Sequence, residues 1–338
     1  IQGYAQEGFG VLRIPVAWSN MMGGDYTINA EYLAAVKEAA DWALECGLYV
    51  ILNIHYDNGW FSGFSTNKSE CMYKYTRIWT QLSEAFRDYG DYLMFESLNE
   101  EGCWDDIWDR NGESTANKKK AFDLLNEINQ KFVDIVRNSG GNNAKRHLLI
   151  AGYATDFKLT CDSLFKMPED PQGRCAVSVH YYTPSVFAIL EEDASWGTMR
   201  ETWGTEEDFK ELDYYMDLMK KTYIDKGIPV IIGEYGCPKK NKDEASVRLF
   251  LKSVCEAAYS RQMCPVLWDI TGLHYDRSTC KMIDQQLKSD FMNILESTKL
   301  RGDISGNGEI DLYDAIEIAK YIICLLYTSP SPRDISGS

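Results

Sequence analysis

At 338 residues the chain is long enough for one large barrel or two medium domains. Its formal net charge of −16 argues against nucleic acid and anionic membranes as partners and suits a neutral polymer. No stretch reaches about 18 uninterrupted apolar residues, so no transmembrane helix is expected. The ten cysteines are scattered without a CxxC pair, which reads as buried free thiols and assigns no disulfide. The chain opens on Ile1, so the lack of a visible leader says nothing of export.

Residues 1–9 read as the tail of a helix ending near Gly8. Apolar runs then follow at 11–16, 48–54, 92–98, 147–153, 175–181, 228–233 and 264–270. Between the first two, Leu33, Val36, Ala40, Ala43 and Leu44 make one helical stripe, closed by Gly47 as a C-terminal cap. Phe122, Leu125, Ile128, Phe132, Ile135 and Val136 make another. Near-continuous apolar strands alternating with amphipathic helices predict a parallel sheet buried on both faces. A closed barrel of this kind needs eight strands. The expectation is therefore an α/β chain, a (β/α)8 TIM barrel whose first strand precedes residue 1. An open doubly wound sheet is the structural alternative, although no Gly-rich phosphate loop supports it.

Two glutamates stand at strand ends. Leu98-Asn99-Glu100 follows the apolar run at 92–95, and Gly233-Glu234-Tyr235-Gly236 follows the one at 228–232. Carboxylates at the C-terminal mouths of parallel strands are placed for catalysis, and a pair of them suits glycoside cleavage. Two ordinary loop glutamates capping helices are the competing reading.

Six segments sharpen this. They are Leu12-Arg13-Ile14-Pro15-Val16, Asn53-Ile54-His55-Tyr56-Asp57, Phe95-Glu96-Ser97-Leu98-Asn99-Glu100, His180-Tyr181-Tyr182, Gly233-Glu234-Tyr235-Gly236 and Leu267-Trp268. In this order, each at a strand end, the chain resembles glycoside hydrolase family 5 over roughly residues 1–297, nearest its subfamily 4 endoglucanases and xyloglucanases. The resemblance implies retaining hydrolysis of β-glycosidic bonds, with Glu100 as acid/base and Glu234 as nucleophile and no cofactor for the chemistry. It implies supporting roles for Arg13, which would hold Glu234 ionised, and for Asn99, at the sugar 2-hydroxyl. His180, read as tuning Glu100, and Tyr182, read as a partner of Glu234, lie two apart on one strand face. His55 would contact a sugar hydroxyl or the site network, and Trp268 would floor the sugar at the cleaved position. The chain is 13% aromatic, which suits stacking on sugar faces. Trp60, Trp196 and Trp203 are the further candidate platforms, with loop packing as the competing explanation. Tyr56 stands where close relatives often carry a second His, and Glu101 where many carry Pro. Both departures could alter substrate fit.

From about Thr298 the character changes. Asp303, Ser305, Asn307, Asp311 and Asp314 fall at calcium-loop spacing, with Gly308 at the sharp turn and Glu309 offering a backbone carbonyl. This stretch resembles one repeat of a type I dockerin, so 298–324 is expected to be a partial dockerin that could bind Ca2+. Residues 325–338, rich in Ser and Pro, are expected to be a disordered or non-native tail. The resemblance implies a secreted, extracellular, cellulosome-associated enzyme acting on a β-glucan polysaccharide as a monomer. Its scaffoldin cohesin partner would belong to the intact protein, since one repeat is not expected to suffice. Open alternatives are a β-mannanase or xylanase of the same family and a non-catalytic carbohydrate-binding barrel.

Overall fold

The computed structural model describes residues 1–102, 104–270 and 272–299. In chain order these form α1 (Gln2–Gln6), β1 (Val11–Ile14), α2 (Ala30–Glu45), β2 (Tyr49–Asn53), α3 (Lys68–Ala85), β3 (Leu93–Glu96), α4 (Lys118–Asn138), β4 (Leu148–Ala151), α5 (Phe157–Thr160), β5 (Cys175–Tyr181), α6 (Ser185–Ala188), α7 (Glu206–Thr222), β6 (Val230–Tyr235), α8 (Glu244–Tyr259) and β7 (Cys264–Leu267). A small antiparallel hairpin, β8 (Tyr275–Asp276) with β9 (Lys281–Met282), and α9 (Gln285–Lys299) complete them. Strands β1 to β7 belong to one sheet in sequence order. A doubly wound sheet reverses its order at a switch point, so sequence order removes that alternative. Parallel strands in sequence order with helical crossovers are the (β/α)8 pattern.

The described chain divides into two compact units, residues 12–178 and residues 1–11 with 179–299. In the first, β2, β3 and β4 are apolar because helices cover them. Val50, Ile51, Leu52, Leu93, Met94, Phe95, Leu148, Leu149 and Ile150 are all fully buried. Register pairs Leu52 with Phe95 and Phe95 with Leu148, which stacks large side chains at one level. Helix α2 starts where the Asn29 side chain accepts from the Tyr32 N–H, and it gives way to Gly47 at φ 77°. Helix α4 buries Phe122, Leu125, Ile128, Phe132 and Val136, and Phe132 meets Trp79 edge-on at 4.5 Å. Arg146 is 1% exposed and donates to the carbonyls of Phe86, Tyr89, Gly90 and Leu93 and to Asn143 Oδ1. These bonds tie down the chain leading into β3 and leave no donor of that buried cation wasted.

In the second unit β6 is buried along its whole length and pairs with β7. The pairing slips between Ile232 and Tyr235: Ile232 faces Pro265 and Tyr235 faces Leu267. Helix α7 begins with a reciprocal cap between Thr205 and Asp208. The Glu7 carboxylate accepts from the Met282 N–H and the Lys288 ammonium, which fastens the chain after α1 to β9 and α9. Helix α9 runs to Lys299, past the boundary expected at 297. Eight cysteines among the described residues stand outside any disulfide. No helix among them is long and apolar enough to cross a membrane.

Candidate active site

In the unit of residues 12–178 the site grows from the ends of β1, β2 and β3. Strand β3 stops at Glu96, a carboxylate with no exposure, and Glu100 follows after Ser97-Leu98-Asn99. A buried carboxylate needs a cation. Arg13 on β1 supplies it, donating Nε to Glu96 Oε2 at 2.7 Å. The same guanidinium donates Nη2 to Asn99 Oδ1 at 2.9 Å. With its carbonyl end taken, Asn99 has its Nδ2 group to give to a sugar hydroxyl. The hydroxyl of Ser178 closes the network onto Glu96 Oε1.

Strand β2 contributes the next layer. Asn53, fully buried, accepts from the Val16 N–H at 3.3 Å, and its carbonyl accepts from Trp18 Nε1 at 2.9 Å. Its Nδ2 lies 3.5 Å from His55 Nδ1, so the amide steadies the imidazole. The side chain of Glu100 reaches solvent but is flanked by enough protein to be desolvated. Desolvation raises its pKa above the ordinary carboxylate value, against the opposing pull of His55, Arg13 and Arg110. Glu101 is shifted further, to about 8, by burial and then by the charges of Glu100 and Asp57.

In the other unit the chemistry gathers on the ends of β5, β6 and β7. Glu234 is 5% exposed and lies within the register slip of β6 on β7. One extra residue on β6 there re-aims the side chains that follow, a common device beside active sites. The Tyr182 hydroxyl donates to Glu234 Oε2 at 3.0 Å. His180, read from the sequence as tuning Glu100, has Nδ1 3.7 Å from Glu234 Oε2. Trp268 follows β7 and donates its N–H to the Tyr235 carbonyl at 2.8 Å. A Cβ on Gly236 would sit 3.3 Å from the Trp268 carbonyl oxygen and 3.5 Å from its Cβ, so a bare backbone lets Trp268 close in.

The expected platforms divide. Trp196 is 57% exposed and offers an open face. Trp60 is half-buried, stacked on Phe61 at 4.0 Å, with Nε1 donated to Asp57 Oδ2 and the Lys74 ammonium 4.5 Å over its ring. Trp203 is a correction: at 4% exposure it packs edge-on against Phe209 and Phe250, which leaves no face for a sugar. Trp18, Trp104 and Trp108 are structural, each giving its indole N–H to a backbone carbonyl. The calcium-loop residues Asp303, Ser305, Asn307, Glu309, Asp311 and Asp314 lie outside the described residues.

Sequence reasoning missed Glu96, Ser178, Asn53 and Asp57. For Ser178 the signal was present: it shares the two-residue period of His180 and Tyr182 on one strand face. For Glu96 the signal was a charge inside an apolar run, which demands a buried partner such as Arg13.

The model of the family Cellulase (glycosyl hydrolase family 5) matches residues 1–273. Endoglucanase B of Clostridium cellulovorans is 34% identical over 267 residues, covering 78% of this chain and 58% of that protein. The chain therefore spans little more than half of that relative. A GH5-4 broad specificity endoglucanase from an uncultured bovine rumen ciliate has a TM-score of 0.76 at 35% identity, covering 87% of this chain and 85% of its own. A Bacteroides ovatus GH5 xyloglucanase in complex with a XXXG heptasaccharide has a TM-score of 0.77 at 28% identity, covering 87% of this chain and 66% of its own.

Proposed function

The chain belongs to the cellulase family, glycosyl hydrolase family 5, and from that premise we propose that it is an endo-β-1,4-glucanase working with retention. Its substrates are cellulose, mixed-linkage glucan or xyloglucan, a reading supported by the endoglucanases and the xyloglucanase it resembles. Glu234 attacks the anomeric carbon while Glu100 gives its proton to the leaving oxygen. Glu100 then takes a proton from the water that releases the sugar from Glu234.

The contrast between the two glutamates carries this assignment. Glu100 is desolvated at a strand mouth, which favours the protonated form an acid needs. Glu234 is buried on β6 and receives a hydrogen bond from Tyr182, which suits a carboxylate that must stay in place to attack. Asn99, oriented by Arg13, has an N–H to offer the sugar 2-hydroxyl, where contact strengthens in the transition state.

The test is reducing-sugar release from xyloglucan, carboxymethylcellulose, barley mixed-linkage glucan and glucomannan. Release from the glucans that disappears in Glu234→Ala supports the reading and ranks its substrates. A folded protein that releases sugar from glucomannan alone would make it a mannanase. For the C-terminal stretch we propose a partial dockerin and, with it, secretion and a cellulosomal setting. Its support is the oxygen-donor spacing from Asp303 to Asp314. Calcium titration of the isolated 298–324 peptide, followed by circular dichroism, tests it.

A further inference from the structure

We propose that Tyr56 is a sugar-stacking platform beside the acid glutamate, taking one pyranose ring of a β-glucan and setting substrate preference. This rests on the glucanase reading above. The argument begins with the backbone. After β2 the chain is pinned to the segment following β1, since the His55 N–H donates to the Val16 carbonyl at 2.9 Å. Tyr56 itself is helical in conformation, but the next three residues, Asp57, Asn58 and Gly59, have φ of 50°, 63° and 67°. Two of these are not glycine, and such positions persist only where the surroundings over-determine them.

Asp57 does the over-determining. It is 1% exposed, and its carboxylate accepts from the Ser19 N–H at 2.6 Å and from Trp60 Nε1 at 2.8 Å. Its carbonyl accepts from the Ser19 hydroxyl at 3.1 Å. The Gly59 N–H closes the turn onto the Tyr56 carbonyl at 2.8 Å.

All this rigidity presents one side chain outward. Tyr56 is 68% exposed, the most exposed large hydrophobic side chain among the described residues. Gly59 lies beneath the tip of the side chain, where an added Cβ would come 3.5 Å from Tyr56 Cε2 and Oη. The exposure leaves most of the ring open to a ligand. Trp42, Tyr73 and Tyr214, also exposed, ride on α2, α3 and α7 instead. The residue before Tyr56 reaches the catalytic acid electrostatically, since His55 acts on Glu100, and the residue after it, Asp57, acts on the neighbouring Glu101. An exposed aromatic on a pinned turn, with a polar tip and such neighbours, suits a flat sugar ring.

The experiment compares Tyr56→Ala, Tyr56→Phe and Tyr56→His with wild type on mixed-linkage glucan and xyloglucan. Melting temperatures accompany the kinetics as a check on folding. Tyr56→Ala is expected to raise KM roughly ten-fold on at least one polymer, with kcat changed less than about three-fold. Tyr56→Phe is expected to stay near wild type, and Tyr56→His to change the ratio of kcat/KM between the two polymers. A folded Tyr56→Ala with wild-type KM on both polymers overturns the proposal. If wild type cleaves no glucan, the glucanase reading fails on its own. Calorimetric binding of cellotetraose to wild type and Tyr56→Ala then decides the platform: weaker binding by the variant supports it, and equal affinity or no binding by either overturns it.

Discussion

A guanidinium taken out of water needs a carboxylate before it can serve a sugar. Arg13 is 8% exposed and Glu96 not at all, so each charge depends on the other. Removing the carboxylate in Glu96→Ala strands the cation and is expected to cost about 3–5 kcal/mol in urea unfolding. A loss under about 1 kcal/mol would mean the pair is dispensable. Sequence reasoning gave Arg13 to Glu234, because residues at strand mouths invite pairing with the nearest known catalyst. The bonds to Glu96 and Asn99 make it also a positioning residue for Asn99. Glu101 offers a prediction of another kind. Its carboxyl, pushed up to about 8, keeps a proton in the folded chain that the unfolded chain has already lost. From an unfolded value near ~4.3 up to about 8, the folded state therefore binds more protons, and stability falls as pH rises. Glu101→Gln cannot ionise, so its melting temperature should gain on wild type between pH 5 and pH 8. A difference that stays constant across that range would show that Glu101 ionises freely in the folded protein.

Elements were legible where one segment carries its own signal. The apolar runs placed every strand from β1 to β7, because a parallel strand covered on both faces must be apolar throughout. Helices α2 and α4 were legible from their stripes for the same reason. What depends on a partner stayed hidden. The slip of β6 on β7 is a relation between two strands, and nothing in residues 230–235 alone announces it. Trp203 was misread because Phe250, which helps bury it, lies on α8, far along the chain. Helix α7 depends on such a partner too. Its cap is local in Thr205 and Asp208, but Arg200 grips the same carboxylate with two bonds of 2.8 Å. Burial would raise the pKa of Asp208, yet the bonds from Arg200, Gly204 and Thr205 hold it well below the usual range. That stability is present above the unfolded pKa and is lost as pH falls through the depressed folded value. Asp208→Asn should therefore cost stability at pH 7, on the order of 1–3 kcal/mol, with the loss shrinking below pH 4 and markedly smaller only near pH 2. An equal loss at pH 7 and pH 2 would assign the effect to packing rather than charge.

Across the whole molecule the excess of acids over bases, 51 against 35, should act on substrate choice. A protein of net charge −16 repels a polyanion before any subsite is reached. Carboxymethylcellulose is such a polyanion, whereas mixed-linkage glucan and hydroxyethylcellulose are neutral. Screening length falls from roughly 30 Å at 0.01 M salt to roughly 10 Å at 0.1 M. Raising salt across that range should lower KM for carboxymethylcellulose several-fold, since the repulsion acts on approach and binding rather than on the bond being cut. KM for the neutral polymers should not move. Because hydroxyethylcellulose shares the backbone and carries no charge, it separates electrostatic repulsion from any general effect of salt on the enzyme. Equal salt responses on the charged and neutral polymers would place the acidic surface away from the path of the substrate. A response confined to carboxymethylcellulose would mean that assays on it at low salt understate this enzyme's capacity for β-glucans.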